Sequence, residues 1–411
     1  GNIFLIMRIL YFHQHFSTPE GSSGIRSYEM ARRLIFQGHK VTMVCGSYGG
    51  GNTGLEGSFI LGKRTGQVDG IDVVEFDLAY SNSDGLIVRA ITFLKFALKS
   101  IGVSLTYNYD VLFATSTPLT AGIPGILARW LRRKPFVFEV RDLWPELPRE
   151  MGVITNPVIL SAMSILEWLS YRSANRCIGL SPGIVEGIKK RGVKDENVAL
   201  IPNGCDLAIF SGNIKPWRPE GVYDTDLMAV FTGTHGVANG LDSALDAAVE
   251  LKKRGRKDIK IVLIGQGKLK TKLQQRADIE QLNNVLFYSP VNKKKLSELM
   301  ASADIGLQLL ANVPAFYFGT SPNKFFDYIS AGLPVLNNYP GWLAEMIIDN
   351  DIGYSVPPES ASAFADALEH AADNRALLPT MGRNAQLLAK KEFDRQVLAD
   401  QWVTWIEGAK R

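Results

Sequence analysis

Residues 321–336 read SPNKFFDYISAGLPVL. A proline-marked turn leads into a short amphipathic segment, Ala331-Gly332-Leu333-Pro334 interrupts it, and an apolar run follows. Glycine and proline at that point stop a helix and let a strand begin. A helix from Asn323 puts Lys324 and Asp327 three residues apart on one face, with Phe325, Phe326, Tyr328 and Ile329 on the apolar faces. Its first turn, with Asn323 near the cap, offers free N–H groups and a positive dipole end.

The same helix–stop–strand rhythm runs along the chain. IMRILYF is followed by a loop, a helix-like GIRSYEMARRLIFQG and then KVTMVCG, which is a βαβ unit. VLFATS, PFVFEVRD, ANRCIGLS and VALIPNG continue the series, and MAVFTGTHG, IKIVLIGQG, VLFYSPV, ADIGLQLL and GLPVLNN form a second one. Strands buried on both faces read as continuous apolar runs, as these do. The expected architecture is α/β, with two Rossmann-like, doubly wound parallel-sheet domains in tandem. The expected boundaries are 1–205, 206–385, and C-terminal helices over 386–411 that pack back on the first domain through Trp402 and Trp405. Segment 205–227, with Pro216, Trp217 and Pro219, reads as the linker.

Composition sets the class. The 411 residues exceed one ordinary core, 46% hydrophobic and 21% charged residues are a globular balance, and a net charge of +4 excludes a dedicated nucleic-acid binder. Cys45, Cys177 and Cys205 form no CxxC pair, which fits a reducing, cytoplasmic setting without a zinc site. His13 and His15 lie close in sequence, but no neighbouring carboxylate completes a metal set. No apolar run reaches the length of a membrane span, and NIFLIMRILYF, broken by Arg8, lacks the shape of a signal peptide; Met7 is an internal candidate start.

Ligands of parallel sheets sit beyond the carboxyl ends of the strands, so the residues there carry the functional reading. After the first strand, Gly21-Ser22-Ser23-Gly24 opens a helix, with Ser23 as the expected N-cap. It is not a GxGxxG fingerprint. After PFVFEV come Arg141 and Asp142 in a loop rich in charge and proline. In the second half, Gly233, Gly236 and Gly240 precede a helix and offer backbone amides to a phosphate, with His235 or Asn239 assisting. Gly265 and Gly267 repeat the pattern before Lys268. Together with Lys324, these two loops make an anion site. Lys270 and Lys272 read as a solvated helix face. A carboxylate at Asp327 suits a ribose diol and a lysine at Lys324 suits a diphosphate; a surface salt bridge between the two is the plain alternative.

PNKFFDYISAGLPVL, IPNGCD, SPGIVEGIKKRGV and VFTGTHGVANGLDSALDAA resemble family 4 glycosyltransferases of GT-B fold, in which two such domains face across a cleft. The resemblance covers nearly the whole chain and leans toward the bacterial O-antigen and capsule branch of WbuB-like N-acetyl-fucosaminyl transferases. It implies a retaining, metal-independent enzyme without a cofactor, using a nucleotide-sugar donor, UDP-linked by expectation. It further implies a polyprenyl-diphosphate-linked saccharide acceptor and a peripheral position on the anionic inner-membrane surface, for which the basic, apolar stretches Val88–Val103 and Ala128–Pro135 are suited.

By the resemblance, Asp327 matches the second of two signature glutamates, the one that binds the donor ribose. The first falls at Gly319, so backbone amides at Gly319, Thr320 and Ser321 are expected to serve the donor sugar instead. The phosphate-binding Arg and Lys of the family are replaced around His235, Gly236 and Asn239, which shifts that role to Lys268 and Lys324. Arg141-Asp142 aligns with an HxD-type position, Val291 is expected to meet the base through its backbone, and Gly24 matches the glycine loop over the diphosphate. The expected catalytic set is Arg141, Asp142 and Lys324. Two alternatives share these features: a sugar-nucleotide epimerase or hydrolase of the same fold, and a non-catalytic nucleotide-sugar-binding protein.

Overall fold

A computed structural model of the chain describes residues 5–144 and 154–409. The chain folds as two compact units. The first comprises Gly1–Pro202, Phe318–Ser321 and Gln396–Arg411, and the second Asn203–Tyr317 and Pro322–Arg395. Both are α/β, as the alternating pattern requires.

In the first unit the strands are β1 (Arg8–Phe12), β2 (Lys40–Tyr48), β3 (Lys63–Val68), β4 (Ile71–Tyr80), β5 (Val111–Thr115), β6 (Phe136–Val140), β7 (Arg176–Gly179) and β8 (Val198–Leu200). They form one sheet in the order β3-β4-β2-β1-β5-β6-β7-β8. All neighbours are parallel except β3 and β4, a hairpin turning at Asp69-Gly70 with φ of 51° and 86°. Two positive φ values are what an Asp-Gly hairpin turn supplies. The apolar runs are central: β1, β5 and β6 are buried almost throughout. Trp402, on the helix Arg395–Gly408, is fully buried and stacks on Tyr11 at 5.9 Å.

In the second unit the strands are β9 (Leu227–Thr232), β10 (Ile259–Ile264), β11 (Val285–Tyr288), β12 (Ile305–Gln308), β13 (Val335–Asn337) and β14 (Gly353–Ser355). Their order is β11-β10-β9-β12-β13-β14, every pair parallel. The stretch 321–336 does form a helix, Asn323–Ser330, followed by β13, with Gly332 at φ 71° as the stop. Segment 205–226 is no free linker. Trp217 N–H donates to the Glu298 carbonyl, Arg218 donates to the Tyr223 and Asp226 carbonyls, and Cys205 N–H donates to Phe393 O. Chain-order reversal places the topological switch point between β1 and β5 in the first sheet and between β9 and β12 in the second. Ligand crevices of open parallel sheets open there.

Candidate active site

Beyond the carboxyl ends of β9, which borders the switch point of the second sheet, and of its neighbour β10, two glycine loops are locked face to face. Gly233 N–H donates to Ile264 O at 2.9 Å, His235 N–H to Gln266 O at 3.0 Å, and Leu269 N–H to His235 O at 2.9 Å. A Cβ on Gly265 would lie 1.8 Å from Gly233 O, and one on Gly267 would lie 2.6 Å from His235 O. Backbone meets backbone here, and only glycine fits. Gly240, at φ 53°, is pressed in the same way on Ala311, which follows β12. Asn239 does not point out of this loop; its amide donates to Thr234 O at 2.7 Å and braces it.

The helix Asn323–Ser330 delivers Lys324 to these loops. Lys324 Cε is 2.9 Å from where a Gly233 Cβ would stand, its Nζ 3.3 Å from it and 5.1 Å from the Phe231 ring centre. Among the described residues its ammonium makes no hydrogen bond and no ion pair. Burial lowers its pKa to about 8, against a smaller opposing pull from Asp327. A part-buried cation that meets an aromatic ring but no anion is costly. Beside it, Asn323 Oδ1 is buried and unpartnered, and so is His235 Nε2. His235 Nδ1 faces Gly233 O at 3.1 Å, which fixes the proton on Nδ1 and leaves Nε2 an acceptor. Burial takes the imidazole down to about 4, so it is neutral at physiological pH. Gly236 precedes the turn Val237–Asn239 with an extended backbone.

Asp327 is held otherwise than by Lys324. Its Oδ2 accepts from Lys293 Nζ at 3.1 Å, both side chains being buried. Asp206 and Arg395, 3.3 Å apart, form a second pair close enough to act on it: burial raises the Asp206 carboxyl, Arg395 opposes that, and Asp327 adds to it. Lys293, the first residue of the helix Lys293–Ser302, had no sequence signal beyond lying in a lysine run. Lys270 corrects the expected solvated face: it is buried, and its Nζ donates to Gly265 O at 2.8 Å and Tyr288 O at 3.1 Å, tying the second glycine loop to β11. Lys268 is exposed and is not drawn into that arrangement. Val291 is part-exposed and lies in the loop after β11.

The first unit holds the other expected residues. Arg141 is wound into a buried network. Its Nε donates to Thr115 Oγ1 at 2.9 Å, its Nη2 to Ser27 Oγ at 3.1 Å, and Glu139 Oε2 is 3.8 Å away. Glu139 is the hub. Arg26 pairs with it at 2.8 Å, Thr115 Oγ1 donates at 2.7 Å and Trp402 Nε1 at 3.3 Å. Burial alone would raise Glu139; Arg26 and Arg141 outweigh it and hold the carboxyl below its ordinary value. A lone glutamate inside FVFEV was the available signal for this network. Asp142 accepts from Thr117 Oγ1 at 3.0 Å; burial raises its carboxyl, with Thr117 and Arg141 opposing. Residues 145–153 of the same loop lie outside the described residues.

Ser23 is not a cap. The helix Arg26–Phe36 begins after Ile25, whose side chain has no oxygen to cap it, and Arg26 turns inward to Glu139 and to the Ile201 and Pro202 carbonyls. Gly24, part-exposed, precedes it. Gly319, Thr320 and Ser321 belong with the first unit, where Phe318 O accepts from Ser181 Oγ at 3.4 Å and abuts Gly183. Among the described residues no group of three His, Cys, Asp or Glu side chains stands ready for a metal ion.

Comparison with known proteins places these features. Residues 21–204 match the family model described as glycosyl transferase 4-like domain, and residues 215–388 the model described as glycosyl transferases group 1. No curated protein sequence matches the chain. Among solved structures, sucrose-phosphate synthase from Thermosynechococcus elongatus is 16% identical with a TM-score of 0.74, covering 98% of each chain. The Anabaena HepE protein in complex with UDP-glucose is 17% identical with a TM-score of 0.67, covering 98% of this chain and 100% of that one. WaaG, a glycosyltransferase involved in lipopolysaccharide biosynthesis, is 18% identical with a TM-score of 0.68, covering 97% of this chain and 100% of that one. At these identities the structures speak for the fold, and the two family models, one on each half, speak for the chemistry. The chain belongs to the group 1 glycosyltransferases, with the two α/β domains of the GT-B fold.

Proposed function

We propose that the protein is a retaining glycosyltransferase that moves a sugar, an N-acetylated hexose or deoxyhexose, from a UDP-sugar to a lipid-linked saccharide in surface polysaccharide synthesis. One observation carries the donor half: the Lys324 ammonium, seated against Gly233 of the first glycine loop with the Phe231 ring beside it and no ion pair among the described residues. A diphosphate supplies the charge that this position lacks. The buried acceptors Asn323 Oδ1 and His235 Nε2 suit sugar or ribose hydroxyls, and Asp327, oriented by Lys293, suits the ribose diol. The UDP-glucose bound by the Anabaena HepE protein supports a uridine donor.

In the reaction the bond between the anomeric carbon and the β-phosphate oxygen breaks, and its electron pair leaves with UDP. The acceptor oxygen bonds the same carbon, and its proton passes to the departing phosphate. Lys324 takes up the charge that develops on that phosphate, so the step runs without a metal. Arg141, held by Thr115, Ser27 and Glu139, is a positioning residue for the first-unit strand ends, and Asp142 orients the acceptor hydroxyl. Lys268 and Val291 complete the proposed donor set of the second unit through side-chain and backbone donors.

The acceptor half is supported by the surface of the first unit. No helix among the described residues is long and apolar enough to cross a membrane. The helix Leu86–Thr106 exposes Ile87, Leu94 and Leu98 beside Lys95 and Lys99. The helices Gly122–Leu131 and Pro157–Ser173 add exposed Trp130, Leu131, Ile165 and Trp168. Apolar and aromatic groups with interspersed lysines fit an anionic membrane surface on the cytoplasmic side. Thermal unfolding with UDP, GDP, ADP and TDP, with and without magnesium, tests the donor reading. The expected result is a shift with UDP that magnesium does not alter; no shift with any nucleotide refutes it.

A further inference from the structure

Strand β9 stays paired with β10 as far as Thr232, opposite Ile264, and β12 with β13 as far as Gln308, opposite Asn337. Between β9 and β12 the ladder is short. Among the described residues it joins Ala229 to Ile305 and Val230 to Gly306 and goes no further, although Phe231, Thr232, Leu307 and Gln308 continue both strands. The two strands therefore part at the switch point. Backbone groups that a parallel ladder would have paired are left to find other partners.

The side chain of Tyr328 fills that parting. It is fully buried, and its hydroxyl meets both strands. It donates to Leu307 O at 2.9 Å, has Val230 O in reach at 3.2 Å, and accepts from Thr232 N–H at 3.4 Å. A phenol hydroxyl has a proton to give and lone pairs to receive with, so one group serves two strand edges. The ring is pressed on β12 as well. A Cβ on Gly306 would lie 2.5 Å from Tyr328 Cγ, so the glycine inside ADIGLQLL is what lets the ring approach the strand.

Two features tie this wedge to the ammonium site. Tyr328 stands four residues after Lys324 on the helix Asn323–Ser330, a spacing that puts both on one side of the helix. Thr232, whose N–H the hydroxyl accepts, is followed by Gly233, the residue against which the Lys324 stem lies. Tyr328 thus fixes both the helix that carries the cation and the strand end that receives it. The buried lysines do other work: Lys270 ties Gly265 to Tyr288, and Lys293 pairs with Asp327.

We propose that Tyr328 is a positioning residue of the donor site. Its hydroxyl keeps β9 and β12 parted and so seats the Lys324 ammonium for the donor's diphosphate. This rests on the donor reading of Lys324. The test is calorimetric titration of the full chain with UDP and with UMP, the native chain binding UDP the more tightly. Tyr328→Phe keeps the ring and removes the hydroxyl. It should weaken UDP by at least roughly tenfold and UMP by no more than about threefold, because the loss falls on the contact with the second phosphate. Gly306→Ala, which pushes the ring off the strand and leaves the hydroxyl in place, should act in the same direction.

A Tyr328→Phe chain that binds UDP as the native one does overturns the proposal. So does an equal loss for UDP and UMP, or a failure of both variants to fold; either assigns the hydroxyl to the scaffold. A native chain that binds UDP no better than UMP refutes the donor reading of Lys324 and this proposal with it, and that outcome is seen before any variant is made.

Discussion

Replacing Lys324 should make the unliganded protein more stable, the opposite of what removing a structural ion pair does. Among the described residues the Lys324 ammonium has no hydrogen bond or ion pair, and burial brings its pKa from an ordinary 10.5 to about 8. That fall corresponds to roughly 3 kcal/mol of disfavoured charge, which part-exposure and solvent screening discount to about 2 kcal/mol. Lys324→Met keeps the stem that packs against Gly233 and Phe231 and removes the charge. The gain of about 2 kcal/mol should raise the unfolding temperature of a unit this size by roughly 4–8 °C near pH 7.

The pH dependence fixes the sign. Between the folded pKa of about 8 and the unfolded value near 10.5, the unfolded chain holds more protons. Native stability therefore rises with pH across that window, while the Met variant lacks this rise. The advantage of the variant should be full below about pH 8 and mostly gone by about pH 10.5. Scanning calorimetry of both chains in an anion-poor buffer, since phosphate would occupy the position, checks this. The same variant should lose the stabilisation by UDP and lower turnover by orders of magnitude. A Lys324→Met chain that melts lower at neutral pH, or whose difference from the native chain does not shrink with pH, refutes the part-buried cation without a counter-charge and the donor assignment built on it.

Other substitutions test the frame around that site. Gly265→Ala should destabilise by at least about 2–3 kcal/mol in urea unfolding, because its Cβ would fall on Gly233 O and its φ of 154° is unsuited to alanine. Lys293→Met should leave Asp327 buried without its cation, costing about 3–5 kcal/mol and weakening UDP binding, whereas Lys268→Met should leave stability within about 0.5 kcal/mol of native. Glu139→Gln should destabilise by a similar 3–5 kcal/mol, since it removes the counter-charge of the Arg26 guanidinium, itself 1% exposed, and leaves it the Ile201 and Pro202 carbonyls.

Much of the architecture was legible because two periodicities carry it. Apolar runs such as LMAVFT and IKIVLI are buried on both sheet faces and alternate with amphipathic helices. The stretch 321–336 stated its own helix, stop and strand. The hairpin β3–β4 went unread although Asp69-Gly70 announces a tight turn, because KRTGQV is polar and has no apolar face to count. At the site, local cues reached the glycine loops and Lys324. They could not reach pairings across long separations: Asp327 with Lys293, Arg26 with Glu139, or Lys270 with the Gly265 carbonyl. In each case a charged residue looked like surface until the fold brought it a partner.

The same distinction separates scaffold from site in both units. Buried charge is plentiful, and most of it is closed: Glu139 is met by Arg26, Thr115 and Trp402, Asp327 by Lys293, Asp206 by Arg395. Open groups stand beyond β1, at His13, Gln14 and His15, and beyond β9, at His235, Asn323 and Lys324, while others such as Asn284 and Arg375 lie away from both. The second-unit set includes a cation that has no ion pair among the described residues, and it calls for an anion. Lys324→Gln should therefore abolish the thermal shift given by UDP. If that variant kept the shift, the open groups would be incidental and the donor reading drawn from them would fail.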